Sequence, residues 1–214
     1  MTMQPDAWTK YYNQHHVPPF IIEQLWKNYY SALTRHIQPN QSGLIIAELG
    51  GAGENLFADK FYQNFDKVQE YHVLDNNVTG LELTRQNAKE SMILHEADLL
   101  DMDAVSTLDL KADIVFSAGL IEHFTVEDTS KMIEAHFKLV RPGGLVLLSF
   151  PTPTAIYWGF RWLLEKTNKF PPLFERHLTP KEVIQTTDKL GGLLESHKIW
   201  STILTQQLIL VRQA

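Results

Sequence analysis

From Leu44 to Pro151 the chain alternates short apolar runs with amphipathic segments, and that alternation leaves few folds open. The run LIIAELG has the continuous apolar character of a parallel strand buried on both faces. A helix is expected from about Glu54 to Phe65, then a second strand, EYHVLD. A helix near Val78–Lys89, a short strand at Met92–His95 and a fourth strand at Ala112–Ser117 follow. Thr125 opens another helix, with Asp128 beyond it as an approximate capping box. That helix runs to about Val140, where Arg141-Pro142-Gly143-Gly144 ends it, and LVLLSF is the fifth strand. Strands and helices alternating at this spacing imply an α/β fold: a doubly wound, mostly parallel sheet with helices on both faces.

The flanks read differently. Between Phe20 and Ile37 the apolar residues Ile22, Leu25, Trp26, Tyr29, Leu33 and Ile37 recur at helical spacing, and Pro18-Pro19 suits the start of that helix. Residues 38–43 then form a loop. Pro151 to Arg176 is rich in proline and aromatics and reads as an insertion rather than a strand–helix unit. Thr179-Pro180-Lys181-Glu182 is a capped helix start, and Gly191-Gly192 stops that helix. Leu193–Trp200 and Ile203–Val211 are β-like with too little chain between them for a crossover helix, so they should pair antiparallel. At 214 residues the chain suits one domain and is short for two. Its expected parts are an N-terminal helical cap (1–42), a core (43–150), an aromatic insertion (151–178) and a C-terminal helix with a strand pair (179–214).

Composition removes several function classes. There is no cysteine, which excludes disulfides, thiolate nucleophiles and cysteine-ligated metal. The net charge is -6 with no dense Lys/Arg block, so the basic footprint of a nucleic-acid partner is missing. The start of the chain lacks the basic and apolar regions of a signal peptide, and no stretch approaches the ~20 apolar residues of a membrane span. A cytoplasmic protein without stable membrane insertion is expected, and a homodimer stays open.

In open parallel sheets ligands bind at the carboxyl ends of the strands, near the point where strand order reverses. After the first strand stands Glu48-Leu49-Gly50-Gly51-Ala52-Gly53, whose small residues let backbone approach a ligand closely. After the second stands Asp75-Asn76, where a carboxylate can accept both hydroxyls of a ribose. After the third comes Asp98, placed to meet an adenine amino group. After the fourth come Ser117-Ala118-Gly119 and then Glu122-His123. Any one of these is an ordinary loop residue when taken singly; several in register at strand ends are not.

Taken in order, AELGGAGENL, HVLDNN, HEADLL, ADIVFSAGLIEHF and RPGGLVLLSFP resemble the successive motifs of class I S-adenosylmethionine-dependent methyltransferases of small-molecule type. Around the first and fourth strands the chain is similar to quinone-type O-methyltransferases. The resemblance spans about Leu44 to Pro151 and implies a Rossmann-like sheet of order 3-2-1-4-5-7-6 with strand seven antiparallel. It implies S-adenosylmethionine as cofactor and no metal. Glu48 would orient the methionine portion through neighbouring groups, while Gly50, Gly51 and Gly53 contact it. Asp75 with Asn76 would hold the ribose, Asp98 with Leu99 the adenine, and Ser117 with Ala118 would line the methionine and the acceptor. The usual first motif has Gly at the position of Ala52, and often at that of Glu54. A dinucleotide site stands well behind, because G-x-G-x-x-G meets Leu56 in its third glycine place and leaves Glu48 and Glu122-His123 without work.

Methyl transfer is an in-line displacement, for which positioning alone can supply about 7–11 kcal/mol. His123 is the best-placed general base for a hydroxyl acceptor, with a purely structural role of equal weight. Arg176-His177 ends the aromatic insertion and either faces the acceptor, with His177 as a second candidate, or forms a surface turn. Tyr11 and Tyr12 either close over the cofactor or pack onto the domain. Tyr157, Trp158, Phe160, Trp162, Phe170, Leu173 and Phe174 form an acceptor lid in preference to a dimer face or a lipid-facing patch, with Trp158 among the residues expected to bind the acceptor. The leading expectation is a methyltransferase acting on a small, partly apolar or aromatic acceptor, on oxygen rather than nitrogen. The alternatives are an enzyme of this fold acting on a protein or nucleic acid, and a binding or scaffold protein without turnover.

Overall fold

In a computed structural model the protein is described over residues 5–14, 17–38, 40–41, 43–53, 56–152, 154–167, 175–200 and 205–214. Seven strands form one sheet: β1 Leu44–Leu49, β2 Val68–Asp75, β3 Met92–Glu96, β4 Ala112–Ala118, β5 Val140–Pro151, β6 Gly191–Ile199 and β7 Gln206–Gln213. Their order is β3-β2-β1-β4-β5-β7-β6. The first five run parallel, and β7 lies antiparallel between β5 and β6. Strand order and the antiparallel β7 are as the motifs implied. The switch point, where chain order turns from β1 toward β2 on one side and β4 on the other, opens at the ends of those strands.

The helices are α1 Pro5–Gln14, α2 Pro19–Thr34, α3 Ala58–Asn64, α4 Val78–Gln86, α5 Met102–Thr107, α6 Val126–Leu139, α7 Ala155–Lys166 and α8 Pro180–Thr187. Alternation along each central strand divides the interior into two cores. Ile46, Phe116, Leu147 and Leu210 face one side, packed with Trp26, Tyr29 and Leu33 of α2 and Phe61 of α3. Ala47, Val115, Leu148 and Ile209 face the other, with Val105 of α5, Met132 and Ile133 of α6 and Val183 of α8. Polar N-caps fix where helices begin: Asn77 accepts from Gly80 N at 2.8 Å, Thr125 from Asp128 N at 3.2 Å and Thr179 from Glu182 N at 3.3 Å. Each such cap contributes about 1 kcal/mol.

Several boundaries differ from the sequence expectation. The first crossover helix starts at Ala58, after the turn residues have been used; Glu54 lies outside the described residues. Residues 102–107 form a short helix that hydrophobic periodicity did not reveal, capped by Asp101 accepting from Asp103 N and Ala104 N. Arg141-Pro142-Gly143-Gly144 is no loop but part of β5, where the pairing with β4 shifts register between Ala112 and Ile114. The insertion is in part helical: α7 is capped by Thr154, whose hydroxyl accepts from Tyr157 N at 3.2 Å. Phe170, Leu173 and Phe174 lie outside the described residues, as do Ile203 and the side chain of Phe160.

Candidate active site

The turn after β1 is built by glycine where no other residue fits. Gly50 and Gly53 adopt φ of +67° and +114°, and a Cβ on Gly51 would stand 2.3 Å from Glu48 Cγ. Glu48 therefore folds its side chain beneath the turn, where the Tyr71 hydroxyl donates to it. Burial raises the Glu48 carboxyl to about 8; the Tyr71 bond opposes that rise and the charge of Asp75 adds to it. Gly50 N–H donates to Leu74 O at 2.8 Å, locking the turn to the end of β2.

Asp75, at the end of β2, is 7% exposed. Its Oδ1 accepts from Asn77 N at 2.9 Å, and its Oδ2 accepts from Ala52 N at 3.3 Å and from the Tyr12 hydroxyl at 3.2 Å. Burial raises its pKa, while hydrogen bonds from Asn77, Ala52, Tyr12 and Asn76 hold it down. Thus β1, β2 and α1 converge on one carboxylate. Asn76 beside it is exposed.

α1 lies over these strand ends. The Tyr12 ring sits against Gly53 and Gly80, where added Cβ atoms would come within 3.1 and 2.8 Å of it. Trp8 stacks on Tyr12 at 5.9 Å and meets the His123 ring edge-on at 4.9 Å. Tyr11 packs edge-on against Trp8 at 5.5 Å. Thr9 Oγ1 accepts from Asn77 Nδ2 at 3.1 Å, tying the helix to the loop after β2.

After β4, Gly119 (φ +72°) leads into a 3-10 turn at Ile121–His123. Glu122 is 2% exposed and its Oε2 is buried without a hydrogen-bond partner. Burial pushes its pKa well above the usual carboxylate range, and the charge of Glu175 adds to the rise. His123 is almost as buried, with Nε2 3.8 Å from Glu122 Oε1. Arg176 braces this turn: its N–H donates to Glu122 O, and its guanidinium reaches Phe124 O, Thr129 Oγ1 and Glu182. It is thus a strut rather than part of a surface turn.

Of the residues singled out in the sequence, Glu48, Gly50, Gly51, Gly53, Asp75, Tyr11, Tyr12 and His123 are brought to the carboxyl ends of β1, β2 and β4. Ala118 stands half-buried at the end of β4. Asp98 is exposed at the end of β3, where its Oδ1 accepts from Leu100 N at 3.0 Å, and Leu99 beside it is buried. Ser117 does not face this end with its side chain. It is fully buried and its hydroxyl bonds His136 Nε2 at 3.0 Å in the core under α6. His136 Nδ1 donates to Met132 O at 2.7 Å, which leaves Nε2 as acceptor, and burial lowers its pKa to about 4. Trp158 and His177 pack on each other at 4.2 Å on the outer side of α7, with Trp158 46% exposed. Behind them the Tyr157 hydroxyl donates to Glu175 and accepts from Arg161.

Trp8, expected with Tyr11 and Tyr12 in a segment ahead of the first helix, lies with them on α1, while sequence reasoning missed Asn77, Gly80, Tyr71 and Glu175. Asn77 carried a signal, because Asn just before a periodic run is a helix cap; the others are defined only by what the fold sets beside them. Among the described residues no group of three or more His, Asp or Glu is placed to hold a metal, and no helix is long and apolar enough to cross a membrane.

Residues 48–144 match the family model described as "Methyltransferase domain". No curated protein matches the sequence. Solved structures do: an S-adenosylmethionine-dependent methyltransferase from Anabaena variabilis is 14% identical with a TM-score of 0.76, covering 98% of this chain and 95% of its own. Magnesium protoporphyrin IX methyltransferase from Synechocystis, with S-adenosylhomocysteine bound, is 16% identical with a TM-score of 0.69 over 98% of this chain and 94% of its own. The N-methyltransferase NodS from Bradyrhizobium japonicum, in complex with S-adenosylhomocysteine, is 14% identical with a TM-score of 0.62 over 87% and 86%. At these identities the likeness is one of fold. The methyltransferase-domain match over residues 48–144, the sheet order and the strand-end motifs together give the chain the fold and motif order of class I S-adenosylmethionine-dependent methyltransferases.

Proposed function

We propose that the chain binds S-adenosylmethionine across the ends of β1, β2 and β3 and methylates a small, partly apolar acceptor seated toward the 3-10 turn. The observation that carries this reading is Asp75: a buried carboxylate set against the Gly50–Gly53 turn by backbone N–H groups on both sides. The residues fit the cofactor. A Cβ at Gly51 would meet the Glu48 side chain and one at Gly53 or Gly80 the Tyr12 ring, so only backbone fits at the turn, and the orphaned Oε2 of Glu122 suits a polar or cationic group brought into the site.

When bound, the cofactor supplies a methyl group already activated on a sulfonium. Asp75 holds the ribose, Asp98 and Leu99 lie where the adenine would be read, and the Gly50–Gly53 turn passes the methionine portion. The turn lies between the Glu48 and Leu120 side chains, with Ala52 and Gly53 buried. On the acceptor side, His123 Nε2 at the 3-10 turn takes the proton of a hydroxyl acceptor. The exposed Trp158–His177 pair extends the apolar approach. Small-molecule acceptors are methylated by structural relatives such as the magnesium protoporphyrin IX enzyme, and oxygen is favoured here because a histidine base serves a hydroxyl best.

The test is calorimetric titration with S-adenosylhomocysteine on the wild type and on Asp75→Ala. Micromolar binding that weakens on the order of a hundredfold, as two charge-assisted bonds worth ~3 kcal/mol require, supports the reading. A folded, ligand-free wild type that does not bind removes it.

A further inference from the structure

Asp75 has fewer open positions than a ribose requires. A carboxylate oxygen accepts two hydrogen bonds well, and Oδ2 already accepts two, from Ala52 N and from the Tyr12 hydroxyl. The Ala52 N–H belongs to the turn and cannot withdraw. A vicinal diol that needs both oxygens of Asp75 therefore gains Oδ2 only by displacing Tyr12. The Tyr12 ring also fills the seat over Gly53 and Gly80 that those glycines keep free of side chains.

Tyr12 does not move alone. Trp8 stands one helical turn away on the same face of α1, stacked on the Tyr12 ring, and its edge covers His123. The Thr9–Asn77 bond and the Tyr12–Asp75 bond both tie α1 to the strand ends. A helix of 10 residues is too short to be stable alone, so its place depends on such contacts, and losing the Tyr12–Asp75 bond loosens it as a unit.

We propose that α1 is a plug: Tyr12 takes the ribose's place on Asp75 while Trp8 covers His123, so the cofactor must expel α1 and the acceptor side opens only after it has bound. The proposal rests on the reading of Asp75 as the ribose ligand. It makes Tyr12 and Trp8 positioning residues that impose an order of binding, cofactor first and acceptor second. This is the reverse of a lid, which would gain contacts when the cofactor arrives.

Two measurements with S-adenosylhomocysteine test it. Calorimetry on Tyr12→Phe should show binding tightened about three- to tenfold, the amount one competing hydrogen bond withholds. Amide hydrogen exchange on the wild type should show residues 8–12 exchanging faster with S-adenosylhomocysteine than without it, and this needs no variant to fold. Unchanged or weaker binding by Tyr12→Phe, or protection of α1 on binding, overturns the plug while leaving the cofactor site standing. Absence of binding by both proteins overturns the cofactor site, and the plug with it.

Discussion

Single residues separate what the sequence can signal from what only the fold can decide. Asp75 and Glu48 were legible because each follows a strand in a position where a carboxylate has chemical work. Ser117 shows the limit, since it occupies an equally plausible place after β4. The two-residue alternation of a strand sends its side chain to the core face instead, where His136 waits on α6. No local pattern announces that partner, because the two lie 19 residues apart on different elements. Ser117→Ala should therefore leave S-adenosylhomocysteine affinity within about twofold of the wild type. It should lower unfolding free energy by about 1–3 kcal/mol, the cost of leaving His136 Nε2 buried without a hydrogen. Calorimetry beside urea denaturation reads both, and a large loss of affinity at unchanged stability would return Ser117 to the cofactor site.

Elements were recognisable where period and caps agreed, and blurred where tertiary contact decides. The central strands stand out as apolar runs and the helix starts as Thr or Asn caps, so β1, β2, β4, α6 and α8 are found close to where they are expected. α5 and α7 were not, since a helix of 6 residues has hardly two turns in which to show a period, and the prolines and aromatics around α7 mask its stripe. Gly191-Gly192 makes the point within two adjacent residues. Both read as a helix stop, yet in the fold they begin β6 and differ in kind. A Cβ on Gly191 would come within 2.3 Å of the Arg212 carbonyl and 3.0 Å of Phe137, whereas one on Gly192 meets nothing within 4 Å. Gly191→Ala should thus cost about 1–3 kcal/mol by forcing β6 away from β7. Gly192→Ala should be neutral or add up to about 1 kcal/mol by restricting the unfolded chain. Paired urea melts decide; equal effects would mean that the β6–β7 edge adapts freely.

At the scale of the whole molecule, the sheet order followed from the motifs, but the acid-rich interior beneath the strand ends did not, because burial is a property of the assembled fold. Its consequence is a pH dependence whose sign can be worked out. Glu48, near 4.5 when exposed, lies at about 8 in the fold, so between those values the folded state holds a proton that the unfolded chain has released. Stability from this group is fully present below pH 4.5 and is lost as pH rises through 8, at about 1 kcal/mol per pH unit. Glu122 and Asp75, also raised by burial, act with the same sign. His136, lowered from 6.5 to about 4, acts oppositely: its contribution is present above pH 6.5 and is lost as pH falls through 4. The opposing effects offset one another between pH 4.5 and 6.5, and above 6.5 the carboxyls act alone. The free protein should accordingly lose thermal stability from pH 6.5 to 8, and Glu48→Gln should flatten that decline. Cofactor binding should run the other way, because an ammonium brought to the turn above Glu48 favours the carboxylate and expels its proton. Affinity for S-adenosylhomocysteine should rise across the same window, by at most about tenfold per pH unit for one proton released, with the proton visible as a buffer-dependent binding enthalpy. A rising affinity in the wild type and a flat one in Glu48→Gln would place the cofactor's amino group beside Glu48. A flat profile in both, with the stability slope intact, would leave Glu48 a support of the glycine turn and assign the amino group to the unpaired oxygen of Glu122 instead.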